Sequence, residues 1–282
     1  MSPSSAIRRL PTLVCEVMMP MDTPSLIKQD NVLDKQMDQL IVNALPALNY
    51  GAAEALNTLW TNLSYSGSNV KVIAFTSCRP DEGKSFMVMH LAHTIISSGK
   101  RVLIIDADLR KSVIAGRYRV RSLSGGLWGV AHYLTGQCDI EQIIYQTNIP
   151  LLSIALAGHE VLDSFSLLDS PLLSHLIDSV RDYYDVILID TPPVGTIIDA
   201  AIIARHCDGV VLVVKEGLAS RSELAEARAQ IEKVGGRVLG AVLNDVEFSS
   251  HGVKKYYYKA YHRYDTSQYG YYGGDDGGKK AR

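Results

Sequence analysis

The segment CRPDEGKS, residues 78–85, sets a glycine, a lysine and a serine in the order that binding a nucleoside triphosphate requires. Backbone N–H groups of such a loop curl around phosphate oxygens. Gly83 allows close approach, Lys84 reaches the β- and γ-phosphates, and Ser85 offers a hydroxyl to Mg2+. The pattern G-x-x-x-x-G-K-[ST] is met except at its first glycine, where Cys78 stands. A bare GKS arises often by chance, and its plain alternative is an ordinary turn between a strand and a helix. Two acidic segments add to it. LIIDADLR puts Asp106 and Asp108 where one apolar run ends, and ILIDTPP puts Asp190 at the end of another. Carboxylates gathered at neighbouring strand ends orient Mg2+ and accept a proton from an attacking hydroxyl. Strand-end aspartates also cap helices. That accounts for one of them, and poorly for three beside a GKS loop.

To bring these groups together the chain needs strands that end at one rim. KVIAFTS (71–77), RVLIIDAD (101–108), PLLSIAL (150–156), DVILID (185–190), GVVLVV (209–214) and RVLGAVLN (237–244) read as short, continuously apolar strands. Between them lie helical patterns at 85–98, 170–184 and 220–234, the last with Ser220 as N-cap and Glu223 three residues on. Helices are also expected over 52–63 and within 31–45, where Leu33, Met37, Leu40 and Ile41 share a face. The alternation predicts an α/β fold, a mostly parallel sheet with helices on both faces. Open sheets of this kind bind ligands at the carboxyl ends of their strands, where the loop and the aspartates fall.

The whole chain has 282 residues, a formal net charge of −2 and 47% hydrophobic residues, enough for a large core and no reason to expect nucleic acid as a partner. Its four cysteines form no CxxC pair, which fits a reduced, cytoplasmic setting. No apolar run reaches the roughly 18–20 residues that span a bilayer, so membrane association is expected through a partner. His90, His93 and His175 fall on helical segments without ligand-like neighbours and carry no metal expectation.

With these motifs in place the chain resembles the bacterial tyrosine kinases (BY-kinases), P-loop proteins that regulate capsule and exopolysaccharide export. The three matching segments are CRPDEGKS as Walker A, LIIDADLR as the aliphatic-DxDxR motif and ILIDTPP as Walker B, within a likeness covering roughly 50–272. The resemblance implies a P-loop NTPase-like domain over 48–248, an N-terminal extension over 1–47 and a disordered, tyrosine-rich tail over 249–282. It implies ATP and Mg2+ as cofactors. Residues 79–86 (Arg79, Pro80, Asp81, Glu82, Gly83, Lys84, Ser85, Phe86) with Asn244 would bind ATP. Lys84, Asp106, Asp108, Arg110 and Asp190 would act in catalysis, with Asp106 as the base, and Ser85, Asp106 and Asp190 would hold the metal.

The resemblance also gives the C-terminal tyrosines a purpose. Tyr256, Tyr257, Tyr258, Tyr261, Tyr264, Tyr269, Tyr271 and Tyr272 become expected phosphorylation sites, modified on a neighbouring subunit. Each phosphate adds about −1.5 to −2 charges beside Lys254, Lys255, Lys259 and Arg263. A homo-oligomer, a membrane chain-length regulator as activator and a tyrosine phosphatase are the implied partners, and the inner face of the plasma membrane the implied location.

Four departures stand out. Asp81 occupies a position where the family commonly has glycine. Asn57 and Trp60 replace the arginines of the ring-forming E-x-x-R-x-x-R helix, leaving Glu54. Phe86 replaces a small polar residue. ALAGHEVLDSFSLLDSPLL (155–173) stands for a proline-rich stretch. They keep two other classes open: a partition- or septum-type ATPase of the MinD/ParA kind, and a nucleotide-binding pseudokinase acting in assembly.

Overall fold

A computed structural model of the protein describes residues 39–43, 45–67, 69–122 and 126–246. In chain order the elements are β1 (Gln39–Ile41), α1 (Tyr50–Ser64), β2 (Val72–Ser77), α2 (Lys84–Ile96), β3 (Val102–Asp106), α3 (Ile114–Arg117), β4 (Arg121–Ser122), α4 (Val130–Leu134) and α5 (Ile140–Ile143). There follow β5 (Tyr145–Thr147), β6 (Leu152–Ala155), α6 (Ser164–Leu168), α7 (Pro171–Val180), β7 (Val186–Asp190), α8 (Asp199–Ala204), β8 (Gly209–Lys215), α9 (Arg221–Lys233) and β9 (Val238–Asn244). The strands form one sheet in the order β4-β1-β5-β6-β3-β7-β2-β8-β9. The central pairs β6/β3, β3/β7, β7/β2, β2/β8 and β8/β9 are parallel. Antiparallel pairing is confined to β1/β4 and β5/β6, so the sheet is mixed at one side.

The central strands are apolar throughout because both their faces are covered. Alternate residues feed two cores. Leu103, Ile105, Ile187 and Ile189 pack with α4, α7, α8 and α9, while Ile104, Leu188, Ile73 and Phe75 pack with α1 and α2 on the other face. The strong helix of the sequence, α9, opens with the expected capping box: Ser220 accepts from the Glu223 N–H, and Glu223 accepts from the Ser220 N–H. None of the described helices is long and apolar enough to cross a membrane.

The helix expected within 31–45 is corrected where the structure describes it. Residues 39–41 are a strand, paired with β4 and β5, and Leu40 is fully buried in the core. Leu40 C=O and the Val42 N–H are fixed by Asn148, at 3.0 and 2.8 Å. A short apolar run satisfies helical and strand spacing equally, and the partner strands decide between them. The sheet therefore takes in chain ahead of residue 48, where the domain boundary was expected. Leu33 and Met37, the rest of the N-terminal extension and the tail from residue 247 lie outside the described residues.

Candidate active site

Three carboxyl strand ends meet in the middle of the sheet: β3, β7 and β2 are consecutive neighbours. Asp106 and Asp190 close β3 and β7 and stand opposite each other in register, while Phe75 of β2 faces Asp190 from the other side. The turn after β7 is pinned to β2. Thr191 donates through N–H and hydroxyl to the Phe75 C=O, at 3.1 and 2.9 Å, and Thr76 Oγ1 donates to Pro192 O at 2.8 Å. A parallel sheet thus converts three distant aspartate-bearing and loop segments into one rim.

The phosphate loop is held by its own acid. Glu82 is fully buried, and its carboxylate accepts from the Arg79 N–H at 2.7 Å and the Lys215 N–H at 3.4 Å. This side chain is therefore committed to the loop and β8. Gly83 has φ 92°, and a Cβ there would fall 2.1 Å from Asn244 Nδ2, so glycine is required both by conformation and by space. Asn244 donates to Glu82 O at 3.0 Å, which fastens the loop to the end of β9. Asp81 is exposed at φ 61°, in the left-handed region that a glycine occupies at less cost. Its negative charge is felt at Lys215. Arg79, next to the loop in sequence, turns away to Glu223, with Nε 2.6 Å from Oε1.

Lys84 and Ser85 begin α2, whose N-terminal amides face the loop, and Lys84 is buried. Ser85 Oγ donates to Asp190 Oδ2 at 2.5 Å. Asp106 is fully buried and accepts from the Ser112 hydroxyl and, at 3.3 Å, from the Asp108 N–H. Burial and then the neighbouring Asp190 charge push the Asp106 carboxyl well above the usual carboxylate range. Burial likewise raises Asp190, to about 6, against the opposing pull of the Ser85 hydrogen bond and the Lys84 ammonium. A cation beside such paired buried carboxylates favours their charged form. Asp190 Oδ1 is buried without a hydrogen-bond partner among the described residues. The donor set of Ser85, Asp190 and Asp106 is all oxygen, the chemistry Mg2+ prefers, and Mg2+ needs few protein ligands when phosphates and water complete its shell. Among the described residues no group of three His, Cys, Asp or Glu forms a cage.

Beside the loop opens a cleft of about 940 Å3, lined on one side by Leu48, Ala52 and Leu59 and on the other by Gly83, Met87 and Asn244. Asp81, Phe86, Arg117 and Lys215 also line it. Phe86 rests against His90, ring centres 4.1 Å apart, as well as facing the cleft. Arg117 and Lys215 were not anticipated. Arg117 sits on a four-residue helix that no local pattern gives, and Lys215 ends β8, one residue past the apolar run read as a strand. Cys78 is buried, and burial first, then Glu82, raises its thiol to about 11, so it is a packing residue of the loop. Arg110 makes no hydrogen bond to the loop's own groups among the described residues; its Nε donates to Asp199 Oδ2 at 3.0 Å. Pro80 is exposed on the loop's outer turn. On α1, Asn57 Nδ2 donates to Glu54 Oε1 at 3.3 Å on the exposed face, while Trp60 is half-buried against the core.

Residues 70–239 match the family described as AAA domain. The tyrosine-protein kinase CpsD of Streptococcus agalactiae is 38% identical over 196 residues, covering 70% of this chain and 84% of that protein. The kinase domain of the Escherichia coli tyrosine kinase ETK superposes with a TM-score of 0.64 at 27% identity, over 71% of this chain and 77% of that one. The septum site-determining protein MinD complexed with Mg-ADP, from Pyrococcus horikoshii, matches with a TM-score of 0.52 at 22% identity, over 62% and 70%, and speaks for the fold alone. With a relative 38% identical over 70% of this chain named a tyrosine-protein kinase, and a tyrosine kinase domain of the same fold, the chain belongs to the bacterial tyrosine kinase family of P-loop proteins.

Proposed function

We propose that this ATP-dependent tyrosine kinase phosphorylates its own C-terminal tyrosines, Tyr256 to Tyr272, and through them regulates capsule or exopolysaccharide synthesis and export. The observation that carries the reading is the meeting of Ser85, Asp190 and Asp106 at the carboxyl ends of β2, β7 and β3. Lys84 and the amides opening α2 bind the β- and γ-phosphates. Asn244 and the apolar wall of the cleft take the base. Mg2+ would supply positive charge against the negative charge that develops during transfer. Asp190 and Ser85 would hold it, with Asp106 beside them. Asp106, raised by burial, is suited to take the phenolic proton as the tyrosine oxygen attacks. The activating partner in this reading is a membrane chain-length regulator that brings the enzyme to the inner face of the plasma membrane. A tyrosine phosphatase reverses the modification, and the working unit is a homo-oligomer.

The test is incubation of the full chain with Mg-ATP, followed by phosphotyrosine detection and mass spectrometry of residues 249–282. Phosphate on those tyrosines, lost in Lys84→Met and reduced at least about 100-fold in Asp106→Ala, is the expected result. Asp81 favours one other reading, since a carboxylate in the left-handed region of the loop costs backbone energy and repels phosphate. A nucleotide-sensing subunit without transferase activity would bind ATP in calorimetry and leave every tyrosine unmodified, with or without the activator.

A further inference from the structure

We infer that Asp199, together with Ser164, is a positioning residue that holds the Arg110 guanidinium for a phosphoryl oxyanion at the catalytic rim. The inference rests on the kinase reading above. Arg110 closes the DADLR segment on the loop that follows β3. Its Nε donates to Asp199 Oδ2 at 3.0 Å, and the Ser164 hydroxyl donates to the same oxygen. The Asp199 side chain is 1% exposed while that of Arg110 is 36% exposed. The anion is therefore shut inside the fold and the cation it holds stands at the surface. The two terminal nitrogens of Arg110 have no hydrogen-bond partner among the described residues.

Three segments converge here. The loop after β3 brings Arg110, and the stretch 156–163, which leads into α6 and Ser164, is tied to that loop by Val161 N–H donating to Leu109 O at 2.9 Å. Asp199 opens α8, at the end of the turn that begins with Asp190. The divergent segment 155–173 thus contributes a hydroxyl to the arginine of the DxDxR motif. A pair that served only stability would be cheaper at the surface, because a buried carboxylate must be desolvated. Asp199 carries that cost in full, and its Oδ1 is buried without a hydrogen-bond partner among the described residues. With Nε tied down, the planar guanidinium loses its freedom to turn, and its remaining N–H groups form a fork of fixed direction. Such a fork binds phosphoryl oxygens in pairs. Two sources offer them at this rim: the γ-phosphate of ATP and the phosphate newly placed on tyrosine.

Asp199→Asn keeps the shape and an acceptor while removing the charge. It is compared with Arg110→Gln, the double variant and Ser164→Ala in the full chain. The readouts are ATP affinity, kcat and KM with a tyrosine peptide acceptor, affinity for the phosphotyrosine peptide, and Tm. We expect Asp199→Asn to lower kcat about tenfold, and Ser164→Ala by about threefold, with Tm shifted by no more than about 3 °C. The double variant should be no worse than Arg110→Gln alone, because the two residues act as one unit. Weakened ATP binding would assign the oxyanion to the γ-phosphate, and weakened phosphotyrosine-peptide binding would assign it to the product. Multiplying losses in the double variant, or activity losses that follow Tm alone, would overturn the positioning role. Wild-type activity that Lys84→Met abolishes and Asp199→Asn leaves intact would overturn it while sparing the kinase reading. A wild-type chain that never acquires phosphotyrosine would overturn both.

Discussion

Buried acids set the character of this site at the scale of single residues. Asp106 and Asp190 lie side by side with almost no solvent; burial raises both, and the Asp190 charge makes Asp106 harder still to ionise. Because the Asp190 carboxyl is raised to about 6 in the fold, its share of stability is present below the unfolded value near 4 and is lost as pH rises through about 6. Asp190→Asn should therefore stabilise the nucleotide-free protein at pH 8 by up to about 3 kcal/mol, raising its Tm, and leave it nearly unchanged at pH 4. Thermal melts at the two pH values check this, and an equal or lower Tm at pH 8 would contradict it. Kinase activity should be lost in the same variant, so stability and function separate at one residue. In the wild type, activity should climb as pH rises through the titration of this pair, since the acceptor hydroxyl needs an ionised base.

At the scale of elements, turns and short helices decide how closely the strand ends can be approached. Gly129 makes such a contact against backbone away from the loop. It caps α4, and a Cβ there would stand 2.5 Å from both Gly158 N and Leu156 O. Both contacts are backbone, so nothing flexible can give way. Val130 and Ala131 donate to Leu156 O and Ala157 O at 2.8 and 2.9 Å across this junction. Gly129→Ala should push α4 off the end of β6 and cost about 2 to 3 kcal/mol. For a domain of this size that is a fall in Tm of roughly 5 to 10 °C. A Tm within 1 or 2 °C of wild type would show that the junction yields more readily than its geometry suggests.

For the whole molecule the issue is how tyrosines beyond residue 248 reach a site lined by residues 46–246. If the reaction crosses between subunits, a Lys84→Met chain with its tyrosines intact becomes a substrate for an active chain truncated after residue 248. Mixing the two should place phosphate on the inactive chain, at a rate that rises with the concentration of the truncated one. Phosphate that appears only in intact wild-type chains, independent of dilution, would mean transfer within one subunit. The exposed face of α1 bears on the same question, because Glu54 pairs with Asn57 and Trp60 joins the core. Contacts between subunits on that face must then use groups other than paired arginines.

The sequence by itself determined the central strands, the loop and the acids at their ends. Continuous apolar runs such as VLIID and VILID can persist only where both faces are covered, so they announce a parallel sheet before any coordinates exist. Asp106 and Asp190 were legible for the same reason, since each sits at the end of such a run, and Lys84 and Ser85 were legible from the GKS order of the loop that follows one. Residues 39–41 were not, because three apolar-rich positions have no period of their own and took strand form from β4 and β5. Nor was the inward turn of Glu82, the hydrogen bond of Asn244 to Glu82 O beside Gly83, or the holding of Arg110 by Asp199 across 89 residues of chain. These depend on which side of a turn a side chain leaves and on what the fold packs there. Only the tertiary structure decides such contacts, because burial and hydrogen-bond partners come from segments that local patterning never brings together.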